Sequence, residues 1–188
     1  CITYLLNSCR SELKPNEYAS YIRNIENGFV KKNEVNGMTI RCFYKPNNFH
    51  TLMGFDSNKD LNQEQFNQEY SNDRYEFELR FERPGYPDFL KSGLKQESDY
   101  GIYVQYMSYG MEQDLSLITG EDTLQAKIHF ERSYGNRPFE LVLLSFPKNN
   151  DSPIDDLQIV FNDRVFGFDR VKFFFDKSDL KKEPELTF

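Results

Sequence analysis

Apolar and polar residues alternate strictly from Tyr75 to Glu82: Tyr75, Phe77, Leu79 and Phe81 against Glu76, Glu78, Arg80 and Glu82. Period-two alternation sends successive side chains to opposite faces, so the stretch predicts a strand with one face buried. A second alternation sets Met38, Ile40, Cys42 and Tyr44 against Thr39, Arg41 and Phe43. The Asn36-Gly37 dipeptide before it reads as a hairpin turn, and Pro46 stops it. Strands are also expected over residues 102–109, 115–118, 124–131 and 139–146. A last hairpin joins residues 157–161 to 171–175 around Asn162-Asp163 or Gly167.

The helical signals are shorter. Tyr18, Tyr21, Ile22 and Ile25 fall at i, i+3, i+4 and i+7, an apolar stripe that Asn16 would cap and Asn27-Gly28 would end. Phe49, Leu52 and Met53 predict one or two turns closed by Gly54. The polar run 56–71, with Leu61, Phe66 and Tyr70 as its main apolar residues, predicts a surface helix. Residues 84–98 and 149–156 read as loops. The resulting fold class is mainly β with a minor α component: an antiparallel β-sandwich or curved sheet with short peripheral helices. One β-rich domain is expected over residues 15–180, followed by a charged, frayed tail at 181–188.

Composition supports strands. Apolar residues are only 38% of the chain, yet 16% are aromatic, with 18 Phe and 12 Tyr. Large rings offset the shortage of small aliphatic side chains, so the chain can bury a core. The net charge is −7, and no basic stripe runs through the aromatics. Nucleic-acid binding and a polybasic membrane patch are therefore not expected.

The N-terminus carries the strongest signal of place. Residues 2–6 are apolar, Asn7 and Ser8 follow, and the chain turns polar directly after Cys9. That order reads as the end of a secretory signal peptide. Leu6-Asn7-Ser8-Cys9 resembles the lipobox of bacterial lipoproteins, in which the peptidase cuts before the cysteine and the cysteine is then acylated. Residues 1–8 would be signal remnant and 9–14 a lipid-bearing tether. The alternative is that Cys1 is the acylated residue. On the first reading acylation consumes Cys9 and processing removes Cys1, so Cys42 is left unpaired, and it is expected on the inner face of its strand as a small buried hydrophobe.

Candidate chemistry is sparse. Asp56, Asn58 and Asp60 stand at the alternate positions of a calcium loop. Leu61 occupies the glycine position and Asn67 that of the bidentate glutamate, which favours a solvated helix start. Asp151, Asp155 and Asp156 form an acidic loop without a spacing motif. His129 and Glu131 share a strand face, an arrangement that suits acid–base work but more often marks a plain polar pair. Glu76, Glu78 and Glu140 could supply the paired carboxylates of a glycosidase, and nothing selects a pair. No G-x-S-x-G elbow or phosphate loop is present. The sequence thus names no catalytic, cofactor-binding or metal residue, and the expectation is a protein that is not an enzyme.

Several blocks resemble small outer-membrane lipoproteins of Bacteroidota. They are the helix from Pro15-Asn16-Glu17-Tyr18 to Glu26-Asn27-Gly28, Tyr44-Lys45-Pro46, Gly120 to Leu124, His129 to Arg132, Tyr134-Gly135, and Phe161 to Gly167 with its Phe-rich strand. That family has no assigned activity, so the resemblance implies an envelope location and no mechanism. It also implies that Tyr134-Gly135 and Phe166-Gly167 form turns. Acidic runs after the acylated cysteine resemble a surface-export signal; Arg10-Ser11-Glu12-Leu13 lacks one, which favours the periplasmic face of the outer membrane. The expected function is a palmitate-bearing accessory protein, without catalysis or cofactor, that binds an envelope or outer-membrane protein complex. The alternative is a surface glycan-binding domain or a carboxylate-dependent hydrolase.

Overall fold

A computed structural model describes residues 11–55, 62–94, 96–148 and 154–188. In chain order the elements are β1 (Glu12–Leu13), α1 (Pro15–Arg23), β2 (Val30–Val35), β3 (Met38–Lys45), α2 (Asn47–Gly54), α3 (Gln63–Glu69), β4 (Arg74–Glu82) and α4 (Asp99–Gln105). They continue with β5 (Leu115–Thr119), β6 (Asp122–Gln125), β7 (Lys127–Glu131), β8 (Phe139–Pro147), β9 (Leu157–Asn162), β10 (Arg170–Phe175), α5 (Lys177–Leu180) and β11 (Glu185–Leu186). Two antiparallel sheets face each other, ordered β2-β3-β4-β8-β7 and β10-β9-β5-β6. The short helices lie outside them, so the fold is mainly β, as the alternation predicts.

The inner faces make one aromatic core. Tyr75, Phe77, Leu79 and Phe81 of β4 meet Ile159 and Phe161 of β9 and Phe173 and Phe175 of β10, all buried. Phe77 and Phe175 lie 5.6 Å apart, and Phe81 and Phe161 6.1 Å, distances at which ring pairs add stabilisation beyond area burial. Cys42 is a free, fully buried thiol on the inner face of β3, and burial pushes its pKa up.

The sheets are joined along both sides. On one side β6 and β7 are a single run that changes sheets at buried Ala126, so Gln125 pairs with Ser116 and Lys127 with Ser145. Corners of this kind let one strand serve both layers. On the other side Asn33 Nδ2 donates to the Lys172 carbonyl at 2.9 Å, tying the edge of β2 to that of β10.

Three expectations need correction. Residues 102–109 are not a strand: α4 runs through a π turn at Tyr106–Gly110 into a 3-10 turn at Met111–Asp114. Tyr106, Met107 and Met111 are the buried side chains there, and Gly110 makes room, since a Cβ on it would lie 2.8 Å from the Tyr106 ring. The 181–188 segment does not fray. Leu180 is buried, β11 pairs with β1 in parallel, and Tyr18 Oη of α1 donates to Glu183 at 2.7 Å. Residues 12–13, read as tether, are therefore the partner strand of that segment. Lastly, α1 is preceded by Lys14 as its cap residue, because Pro15 occupies the first helical position.

Gly28 fixes how the C-terminal helix meets β2. Its φ is +87°, and a Cβ there would lie 2.7 Å from Asp179 of α5. Gly37 has a similar φ of +73° but open space around it. Gly28→Ala should therefore destabilise the fold by about 1–3 kcal/mol, and by more than Gly37→Ala. Urea unfolding of the two variants tests this, and equal costs would remove the steric account.

Candidate functional site

The strands run between two ends of unlike character. Ser11, α1, α2 and α5 sit at the proximal end, beside the finish of β3 and the start of β4. The distal end holds the β2–β3 turn, the loop after β4, the α4 segment, the loop before β8 and the β9–β10 turn.

Exposed large apolar side chains stand at both ends, Met53, Tyr70 and Ile154 proximally and four others distally. Tyr86, Ile102, Tyr109 and Tyr134 are 49%, 53%, 78% and 72% exposed, and α4 contains no buried residue. Arginines sit against several of these rings. The Arg83 guanidinium lies 5.7 Å from the Tyr86 ring, and that of Arg132 lies 4.5 Å from Tyr134 and 5.1 Å from Tyr100. Arg132 Nη2 also donates to Tyr100 Oη at 2.7 Å. Stacking fixes long side chains before any partner arrives, which lowers the ordering cost of an interface.

Below this surface the chain is pinned by carboxylates. Asp163 opens the β9–β10 turn and accepts the backbone N–H of Val165 and Phe166 at 3.0 Å and of Phe168 at 2.7 Å. The turn thereby presents Phe166, whose ring lies 5.1–6.3 Å from Tyr103, Phe89, Tyr106, Phe168 and Phe81. Arg164 makes a two-point bond to buried Asp114, at 2.9 Å from Nε and 2.8 Å from Nη2. Tyr106 Oη donates to the same carboxylate at 2.7 Å, and burial first, then Asp114, raises its pKa. A cavity of about 540 Å³ opens between α4 and this turn, walled by Ile102, Tyr103, Phe166, Phe89 and Arg83.

The residues singled out by sequence do not converge. His129 and Glu131 share the outer face of the edge strand β7, and His129 is exposed. Glu76 and Glu78 lie on the outer face of β4 opposite Ser145 and Leu143, whereas Glu140 opposes Phe81 and is buried. The sheet therefore separates Glu140 from the other two. Asp155 and Asp156 bind Lys177, the first through its ammonium at 3.6 Å and the second through its backbone N–H at 2.8 Å. Cys1, Cys9, the Asp56–Asp60 stretch, Leu61 and Asp151 lie outside the described residues; Asn67 falls in α3. Among the described residues no cluster of His, Cys, Asp and Glu is arranged to hold a metal ion, and no helix is long and apolar enough to cross a membrane. Tyr134-Gly135 and Gly167 do take positive φ and form turns.

Comparison with protein-family profiles, curated proteins and solved structures returned no match, so the functional reading rests on this chain's own residues.

Glu140 latches the loop before β8. Ser133 donates its backbone N–H to Oε2 at 2.8 Å and its hydroxyl to Oε1 at 2.5 Å. Burial raises the Glu140 pKa despite these bonds, and nearby Asp88 adds to the rise. A carboxyl group whose folded pKa is raised favours folding at pH below its unfolded value, and that contribution is lost as pH rises through the folded one. Glu140→Gln should therefore melt above the wild type at neutral pH and converge with it in acid. Thermal melts across that range test the sign, and a wild type more stable at neutral pH would contradict it.

Proposed function

We propose that this protein is a lipid-anchored binding module of the bacterial cell envelope, docking an outer-membrane or periplasmic protein through its distal end and performing no chemistry of its own. The observation that carries the reading is the pairing of arginines with exposed tyrosines at the distal end, Arg83 on Tyr86 and Arg132 on Tyr134, beside exposed Ile102 and Tyr109. Tyrosine and arginine dominate the energetics of protein interfaces. The π turn that carries Tyr109 outward adds support, because such bulges recur at functional sites. The Leu6-Asn7-Ser8-Cys9 motif supplies the anchor. Cys9 stands two residues before Ser11, and Ser11 lies at the proximal end. A lipid there leaves the distal end facing away from the bilayer, on its periplasmic side. Tethering raises the local concentration of the domain near membrane-bound partners without any added contact.

Affinity purification from native membranes in mild detergent tests both halves of the reading. The wild type should bring down a stoichiometric partner. Ile102→Asp with Tyr109→Asp should lose it by about tenfold or more with little change in melting temperature, since both side chains are exposed. Cys9→Ala should release the protein to the soluble fraction and abolish palmitate incorporation. Recovery of the wild type alone would remove the partner reading. Release by Cys1→Ala instead would move the anchor to Cys1, and no release by either would remove the anchor.

A further inference from the structure

A groove of about 470 Å³ lies on the outer face of the five-stranded sheet, in its proximal half, and its size is that of a small-molecule site. Its floor is β2, β3 and β4, and its wall is α2 with the end of α1. Strand register decides what the floor carries. Val30, Phe43 and Glu78 stand in one row across the three strands, and Lys32, Arg41 and Arg80 in the next. The second row sets cations side by side, an arrangement that costs stability when nothing offsets it. The apolar residues of the inner face fix that register, so the cations stay together in spite of their repulsion.

Cations outnumber acids in the lining. Arg23, Arg41, Lys45 and Arg80 stand there against one carboxylate, Glu78, in a chain whose net charge is −7. Glu78 binds Arg80 at 3.2 Å, and Arg41 reaches Glu82 beyond the rim at 3.4 Å. Each contact uses a single nitrogen of a guanidinium that carries several N–H donors. Lys32, outside the groove, pairs with Glu34. Glu76 lies opposite Lys45 in register but accepts from the Ser145 hydroxyl at 2.8 Å. Among the described residues Arg23 and Lys45 make no ion pair. The Arg23 guanidinium is held 4.9 Å from the Phe49 ring, with Nη2 3.3 Å from the Met53 sulfur. These contacts orient the charge and leave it uncompensated. The apolar lining is open to a ligand, since Met53 is exposed and Val30 and Phe43 are only half-buried.

We infer that this groove binds a small organic anion, a carboxylate or phosphate head on an apolar body. Guanidinium forks match both kinds of oxyanion, and hydrogen bonds between charged groups are the strong ones. The head supplies the counter-charge that Arg23 and Lys45 lack, and the body covers Val30, Phe43 and Met53. A cation would meet the row of like charges, and a neutral molecule would leave that row unrelieved. The groove lies on a sheet face away from the distal end, so the inference stands apart from the partner reading.

Titration calorimetry of the full chain with phenylacetate and phenyl phosphate tests it. The comparators are 2-phenylethanol, which lacks the charge, and acetate, which lacks the body. At least one of the two aromatic anions should bind saturably, about tenfold or more tighter than either comparator, and the tighter of the two names the head. Added salt should weaken it. Arg23→Gln with Lys45→Gln should weaken it by about tenfold with little change in melting temperature, since neither side chain makes an ion pair. Lys172→Gln, on the other sheet, removes a charge outside the groove and should leave binding unchanged. Failure of both anions would overturn the inference. So would equal binding of 2-phenylethanol or acetate, unchanged binding by the double variant, or an equal loss in Lys172→Gln.

Discussion

Tyr75, Phe77, Leu79 and Phe81 point inward from the middle strand of the five-stranded sheet, and both ends of the molecule depend on that row. Tyr75 lines a cleft at the proximal end. Phe77 fills the centre between Tyr44, Phe146 and Phe175. Phe81 reaches the distal cluster of Phe89, Phe161, Phe166 and Phe168. A slip of one residue in this strand would turn four glutamate and arginine side chains into the core and expose all four apolar ones. The register is therefore fixed by burial, and the positions of both candidate surfaces follow from it.

Most strands were legible because their alternation survives in the sequence. The β4 and β3 patterns, the Asn36-Gly37 turn and the last hairpin all appear in the structure as read. Residues 102–109 misled because Ile102, Val104 and Tyr106 also alternate, and β-branched and aromatic residues favour strands. A helical signal was present beside it: Tyr100, Tyr103, Tyr106 and Tyr109 recur every third residue. The C-terminal segment misled in another way. Lys181, Lys182 and Glu183 look solvated, but Leu180 and Pro184 on either side of them are buried, and Glu183 bonds Tyr18 from far along the chain.

The sites were less legible than the fold. Glu140 stood out as a carboxylate, yet only its pairing opposite Phe81 shows that it points inward and serves the Ser133 loop. The basic groove draws Arg23, Arg41, Met53 and Arg80 from separate parts of the chain, so no local spacing could announce it. The distal surface combines Arg83, Tyr100, Arg132 and Tyr134 in the same way. What the two ends share is that polar groups on the strands and turns hold aromatic side chains in place.

That preassembly is the central claim, and amide hydrogen exchange on the free protein tests it most directly. The N–H groups of Val165, Phe166 and Phe168 are bonded to the Asp163 side chain and stand on the rigid cluster around Phe166. They should exchange slowly, close to the protection of the β4 amides, because opening the turn requires unpacking that cluster. Exchange as fast as in an unstructured chain would show that the distal end is not preassembled, and would contradict the proposed docking role of that end.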